Sequence, residues 1–363
     1  MPISCEDQKL NLALSLIINS GETDKPDKKS TIKTDIYTSL NNSKATAGKF
    51  SICWGPAIFR ADKKYHDKRY DHVLMIVQNC TDSSDYRLVI RGTWSNINAF
   101  NEDLNVLETV DWLKWDPKAP NNAKISKGTD KALNYILNQV KYNPTDTGPE
   151  ESIIDAIDKI AQQKGIQNIT VIGHSLGGVM ASTLGLYLKR HYINNKNIRI
   201  HACTFAGPTA GNDIFASYSD SFFKGTLDSD SYESNFLRIY NINDIVPLAW
   251  AKNDLKTIEK LYPKPIVIIG VKIYIHKTRH IHYTQLSPAL CFPKKLDKSL
   301  NFPKSIMEQH IKAYPHCYNM SYKEFKCNSN VPDNYDIVVV DSDLSEHIPD
   351  CCTSLIKDES DMT

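Results

Sequence analysis

The chain has 363 residues, 41% of them hydrophobic and 23% charged, with a formal net charge of +1. That balance fits one large globular α/β domain with insertions, or two smaller domains, and gives no electrostatic reason to expect nucleic acid as a partner. No run of 18 apolar residues occurs, so the sequence offers no transmembrane segment.

Residues 10–18 (LNLALSLII) form the first apolar stretch. The lead-in MPISCEDQK carries Glu6 and Asp7 and one lysine, whereas a secretory leader wants a positive start and a small-residue cleavage site. A first amphipathic helix is expected, in a chain that is either cytoplasmic or exported without a classical signal peptide. Residues 21–34 are polar and read as a loop. Two runs rich in β-branched residues, 72–78 and 86–91, flank the turn-forming TDSSD and predict a β-hairpin. Residues 168–172 read as a strand and 175–190 follow at helical period. Residues 199–205 and 236–240 read as two more strands. Strands alternating with helices predict an α/β fold with a mostly parallel central sheet and helices on both faces.

After Pro247 comes a long insertion, about 248–300. Within it 265–274 is strand-like, and 277–279 could turn the chain back into 280–285, which predicts a β-hairpin-like insertion. Residues 326–363 form an acidic C-terminal tail, with Asp333, Asp336, Asp341, Asp343, Asp350, Asp358, Glu359 and Asp361. The expected division is therefore 1–34 (helix and polar loop), 35–325 (the main domain) and 326–363 (the tail). The nine cysteines are odd in number, irregular in spacing and lack a CxxC pair, so most are expected to be reduced thiols, with neither a zinc site nor a disulfide framework indicated.

One motif carries chemistry. Gly173-His174-Ser175-Leu176-Gly177 fits G-x-S-x-G, and it lies where a strand (NITVI) opens into a helix (GGVMASTLGLYLKR). A serine on such a strained turn stands clear of the sheet. Side chains at 173 and 177 would collide with the neighbouring helix and strand, hence the two glycines. Ser175 is the candidate nucleophile, and the backbone N–H of Leu176 is a candidate oxyanion donor.

Four landmarks in order then resemble the class 3 (fungal-type) lipase family, in a bacterial-type branch. They are IRGT (90–93), GHSLGG (173–178), TFAGPTAGN (204–212) and NINDIVP (241–247). The resemblance spans roughly residues 50–320 and implies the α/β-hydrolase fold. Asp244 is the candidate acid, since it follows a strand end and keeps the chain order Ser…Asp…His. A carboxylate there holds the imidazole tautomer and stabilises the imidazolium. The base is a choice among His276, His280, His282, His310, His316 and His347. His310 is preferred, because related sequences carry the base in a similar H…Y setting. His280 and His282 alternate on the expected strand but lack a third metal ligand. His174 is an elbow residue that points the wrong way to be the base.

The resemblance also implies Thr93 as a second oxyanion donor. It makes residues 95–125, with Trp112, Leu113 and Trp115, a candidate lid, the alternative being that both tryptophans are core. It implies a serine carboxylic-ester hydrolase acting on acyl lipids, of triacylglycerol lipase or phospholipase A type, by an acyl-enzyme route. An acyl-ester lipid is the expected partner, met at a membrane or lipid-droplet surface by peripheral contact. Neither a metal nor an organic cofactor is implied. A catalytically inactive lipid- or partner-binding protein, or an acyltransferase using the same triad, are the rival readings.

Overall fold

The computed structural model describes residues 4–20, 29–60, 72–92, 105–143, 148–223 and 235–322. Its centre is a seven-stranded sheet in the order β1-β2-β3-β6-β7-β9-β11. These are β1 (Phe50–Phe59), β2 (His72–Asn79), β3 (Asp85–Ile90), β6 (Gln167–His174), β7 (Ile198–Phe205), β9 (Phe236–Asn241) and β11 (Ala289–Phe292). The first three are antiparallel, and from β3 onward every pair is parallel. A smaller sheet joins β4 (Thr109–Asp111), β5 (Lys124–Ser126), β8 (Gly211–Asn212) and β10 (Tyr283–Thr284).

Alternation along the strands sends side chains to two cores. Leu74, Ile76, Leu88, Ile90, Ile169 and Val171 face one side. There they meet α3 (Lys127–Asn138), α4 (Ile153–Ala161), α5 (Leu176–His191) and α6 (Asp213–Phe223). Val73, Met75, Val77, Val89 and Ile172 face the other. They pack against α1 (Cys5–Ile17), α2 (Lys29–Asn42) and a C-terminal helix, α10 (Ala313–Cys317). Parallel strands covered on both faces are buried along nearly their whole length, as β6 and β7 are.

The run at 10–18 is a buried core helix rather than an amphipathic surface one. From Leu10 through Ile17 every residue of α1 is buried. Its polar Asn11 accepts a hydrogen bond from the Arg87 guanidinium, which also pairs with Asp7. Two cysteines are exceptions to the expected thiols, since Cys5 in α1 and Cys317 in α10 are disulfide-bonded. Cys53, Cys80, Cys203 and Cys291 are free.

The insertion is helical, not a β-hairpin. It folds as α7 (Lys252–Leu261) and α8 (Pro265–Thr278), and the strand expected at 280–285 is reduced to the two residues of β10. Ile and Val favour strands only weakly, and packing overrides that preference. Pro265 at the helix start has its φ set for helix and needs no N–H partner. Val267, Val271, Tyr274 and Ile275 then pack at helical spacing against Leu255 and Ile258 of α7 and Leu248 before it. The acidic tail at 326–363 lies outside the described residues, as does His347.

Candidate active site

The site is built where β6 ends and α5 begins. Ser175 lies between them with φ 60° and ψ −126°, a conformation L residues rarely adopt. Its N–H donates to the Phe205 carbonyl of the neighbouring strand, which fixes the turn against the sheet. Both flanking glycines are sterically required. A Cβ on Gly173 would lie 2.2 Å from the Gly177 carbonyl oxygen, and one on Gly177 would lie 2.3 Å from that of Ile90. Leu176 is the first residue of α5, where backbone N–H groups have no partner within the helix and the positive end of the helix dipole lies.

Asp244 comes from the loop after β9 and is fully buried. Its backbone N–H donates to the Asn241 carbonyl, and its Oδ1 accepts from the Val246 N–H. Its Oδ2 faces the site. His310 comes from a π-helical turn, Glu308–Lys312, between α9 (Phe302–Met307) and α10. Such a turn inserts one extra residue and re-aims a side chain, and it recurs at functional sites.

These three residues meet. His310 Nδ1 is 2.8 Å from Asp244 Oδ2, and His310 Nε2 is 2.8 Å from Ser175 Oγ. The carboxylate accepts a hydrogen bond from Nδ1–H, which leaves the Nε2 lone pair aimed at the serine hydroxyl. His276, His280 and His316 lie on other elements or loops. His282 sits at φ 57° and uses its carbonyl to accept from the Asp213 N–H.

Three further residues hold this arrangement and were not picked out from the sequence. Tyr314 donates its hydroxyl to Asp244 Oδ2 at 2.9 Å and accepts the Asn241 N–H. Burial and the adjacent carboxylate push the Tyr314 phenol far above its ordinary pKa. Asn241 ties the acid loop to the histidine turn, its amide donating to both the Gln309 carbonyl and the Gln309 side chain. Thr209, in the AGPTAGN segment, accepts from the Trp250 N–H and donates its own N–H to the Ala249 carbonyl, pinning the far end of the acid loop. The signal for Tyr314 was its place four residues after His310. Asn241 and Thr209 lie within the NINDIVP and TFAGPTAGN landmarks, but the contacts that tie these loops together span 68 and 41 residues of chain, which no local pattern records.

His174 also has a definite place. It is buried, and its Nε2 is 2.8 Å from the His310 carbonyl oxygen. A carbonyl only accepts, so this nitrogen carries the proton. Burial, with His310 beside it, holds the His174 pKa well below the usual imidazole range and keeps the ring neutral.

Thr93 and residues 95–104 lie outside the described residues. Their neighbour Gly92 is close to the elbow, since a Cβ there would lie 2.6 Å from the His174 carbonyl oxygen. The described part of the candidate lid is not a surface flap. Trp112 is 0% exposed and packs edge-on against Phe215, while Leu113 and Trp115 pack on the same core. The Trp115 indole donates to Asp130. The strand pairing of β4 and β5 draws this segment down onto α3 and α5. Among the described residues no group of three or more His, Cys, Asp or Glu could hold a metal ion.

Residues 87–253 match the model of the lipase (class 3) family. Among solved structures, M37 lipase superposes with a TM-score of 0.72 at 24% identity, covering 88% of this chain and 95% of that one. Lip2 lipase from Yarrowia lipolytica gives 0.46 at 20% identity, covering 67% and 72%. Lipase II from Rhizopus niveus gives 0.44 at 18%, covering 69% and 75%. The fold comparison rests on the first of these. Over residues 87–253 the chain is thus similar to the class 3 lipase family, and it has an α/β-hydrolase fold with a mostly parallel sheet covered on both faces.

Proposed function

We propose that the chain cleaves acyl-lipid esters through Ser175, His310 and Asp244 by an acyl-enzyme mechanism. The observation that carries this is the unbroken relay of two 2.8 Å contacts from Ser175 Oγ through the His310 ring to Asp244. Ser175 Oγ attacks the ester carbonyl while His310 Nε2 takes its proton. Asp244 holds the Nδ1 proton and stabilises the imidazolium. The Leu176 N–H, with Thr93 as its implied partner, stabilises the developing oxyanion. The alcohol leaves with the proton from His310. Water then attacks the acyl-serine with the same histidine as base, and the fatty acid departs.

The similarity to class 3 lipases supports an acyl-lipid substrate, and either a neutral glyceride or a phospholipid ester suits this chemistry. Contact with the lipid is peripheral in this reading. No described helix is long and apolar enough to cross a membrane. The test pairs two measurements. A fluorophosphonate probe should label the full chain and fail to label Ser175→Ala, and fatty acid should be released from at least one member of a panel of triglycerides, phospholipids and short esters. Absence of labelling in the wild-type chain would sink the nucleophile assignment. Labelling without any hydrolysis, but with acyl transfer to an added alcohol, would make the chain an acyltransferase.

A further inference from the structure

Helix α8 has two apolar faces, and the fold uses one. Val267, Val271, Tyr274 and Ile275 pack inward, while Ile266, Ile269 and Ile273 line the opposite face at 74%, 55% and 48% exposure. A helix apolar all round is normally buried in a core or in lipid. At 14 residues it is about 21 Å long, too short to cross a bilayer core of ~30 Å. It can lie in the plane of an interface.

Charge selects the partner. Between Lys252 and Arg279 the hairpin carries seven cations (Lys252, Lys256, Lys260, Lys264, Lys272, Lys277 and Arg279) against two acids, Asp254 and Glu259. That is a local net charge of +5, in a chain whose total is +1. None of the seven pairs with a carboxylate among the described residues. Lys272 and Lys277 follow Ile269 and Ile273 by three and four positions, so they flank the isoleucine stripe on the helix surface. Lysines so placed reach past an apolar face with their charge at headgroup level. A second copy of this face would set +5 against +5, which opposes self-association.

We propose that the α7–α8 hairpin docks the protein on anionic lipid, the isoleucines entering the headgroup–acyl boundary and the lysines meeting the lipid charge. The hairpin packs on the segment that follows Asp244. Leu248 and Ile245 lie in its core cluster, and Trp250 packs tilted against Tyr274 with 4.9 Å between ring centres. Docking would therefore bring the rim of the proposed site to the lipid. Only that consequence rests on the ester-hydrolase reading.

The test uses the full chain and vesicles of dialkyl-ether phosphatidylcholine, with or without dialkyl-ether phosphatidylglycerol, read by co-sedimentation. Ether lipids contain no scissile ester, so the result is independent of Ser175. Binding should favour the anionic vesicles and weaken with added salt. Ile266→Ser/Ile269→Ser/Ile273→Ser should lower partitioning about tenfold or more, and Lys272→Gln/Lys277→Gln should cut the preference for anionic vesicles about tenfold. If the triple variant melts early, Ile269→Ser alone and the lysine pair decide. Equal binding to both vesicle types, wild-type binding by the variants, or a solution dimer that the serine substitutions dissociate would each overturn the proposal.

Discussion

The proposed triad and the α7–α8 hairpin adjoin each other along residues 245–250, yet they are built on opposite principles. Around Asp244 and His310, buried polar groups are satisfied by partners from several distant elements. Tyr314, Asn241, Gln309 and His174 are all buried and all hydrogen-bonded to the triad or to the loops that carry it. The hairpin rests on a four-residue buried apolar cluster (Leu248, Leu255, Ile258 and Val271) and leaves three isoleucines in solvent. A buried, fully partnered network holds one geometry, because every displaced group leaves another unpaired at a cost of about 1–3 kcal/mol. A thinly packed apolar hairpin carries no such constraint and can exchange water for another surface. Precision is concentrated where bonds would be made, and apolar surface is spared where a partner could be met.

The sharpest way to break this contrast is at the triad. Ser175→Ala and His310→Ala should each lower kcat/KM on a soluble ester by on the order of 10⁵-fold or more, and the double variant should fall no further. A similar loss in a variant at Ile273 would erase the distinction between the two regions. Asp244→Asn comes next, at roughly 10⁴-fold, because an amide admits the wrong imidazole tautomer. Activity within tenfold of wild type would place the acid elsewhere, with Asp254 the nearest alternative in the chain.

The fold should also be acid-sensitive through its buried histidines. Burial drives His201 down to about 3 and His174 well below its ordinary value. Unfolded, both bind a proton near pH 6.5, so their folded neutral forms contribute fully above that pH. That contribution is lost as pH falls, by up to about 1.4 kcal/mol per pH unit for each histidine. The urea midpoint should therefore drop between pH 6.5 and 5.5, and His201→Gln should reduce the drop. An unchanged slope in that variant would mean His201 accepts its proton without unfolding.

Smaller effects sharpen the boundary. Tyr314→Phe removes one donor to a buried carboxylate and should cost about tenfold in kcat/KM, or ~1.4 kcal/mol. Full activity in Tyr314→Phe would reduce the tyrosine to packing. On the hairpin, Val271→Ala should cost about 1.5 kcal/mol of stability in urea melts, while Ile273→Ser should stay within roughly 0.5 kcal/mol. A large loss at Ile273 would show that its face is already covered.

Legibility from the sequence follows the same boundary. Strands β2, β3, β6, β7 and β9 were readable because a strand buried on both faces carries short runs rich in apolar residues. The elbow was readable because one turn confines a strained serine, two obligatory glycines and a helix start to five residues. The hairpin was misread. Pro265–Thr278 is rich in β-branched residues, and its helix exists because α7 and Leu248 bury one side of it. Trp112 was equally open between surface and core until the pairing of β4 with β5 placed it under Phe215.

By itself the sequence determined the alternation of strands and helices, the position of Ser175 and the candidacy of Asp244, because each depends on neighbours a few residues away. Only the tertiary structure set one of the late histidines, His310, between Ser175 and Asp244. The choice of His310 depends on a π-helical turn that re-aims one side chain, held by Asn241 68 residues earlier in the chain. Contacts across such separations leave no periodic trace, since the residues that satisfy them need only be polar, buried and correctly placed after folding.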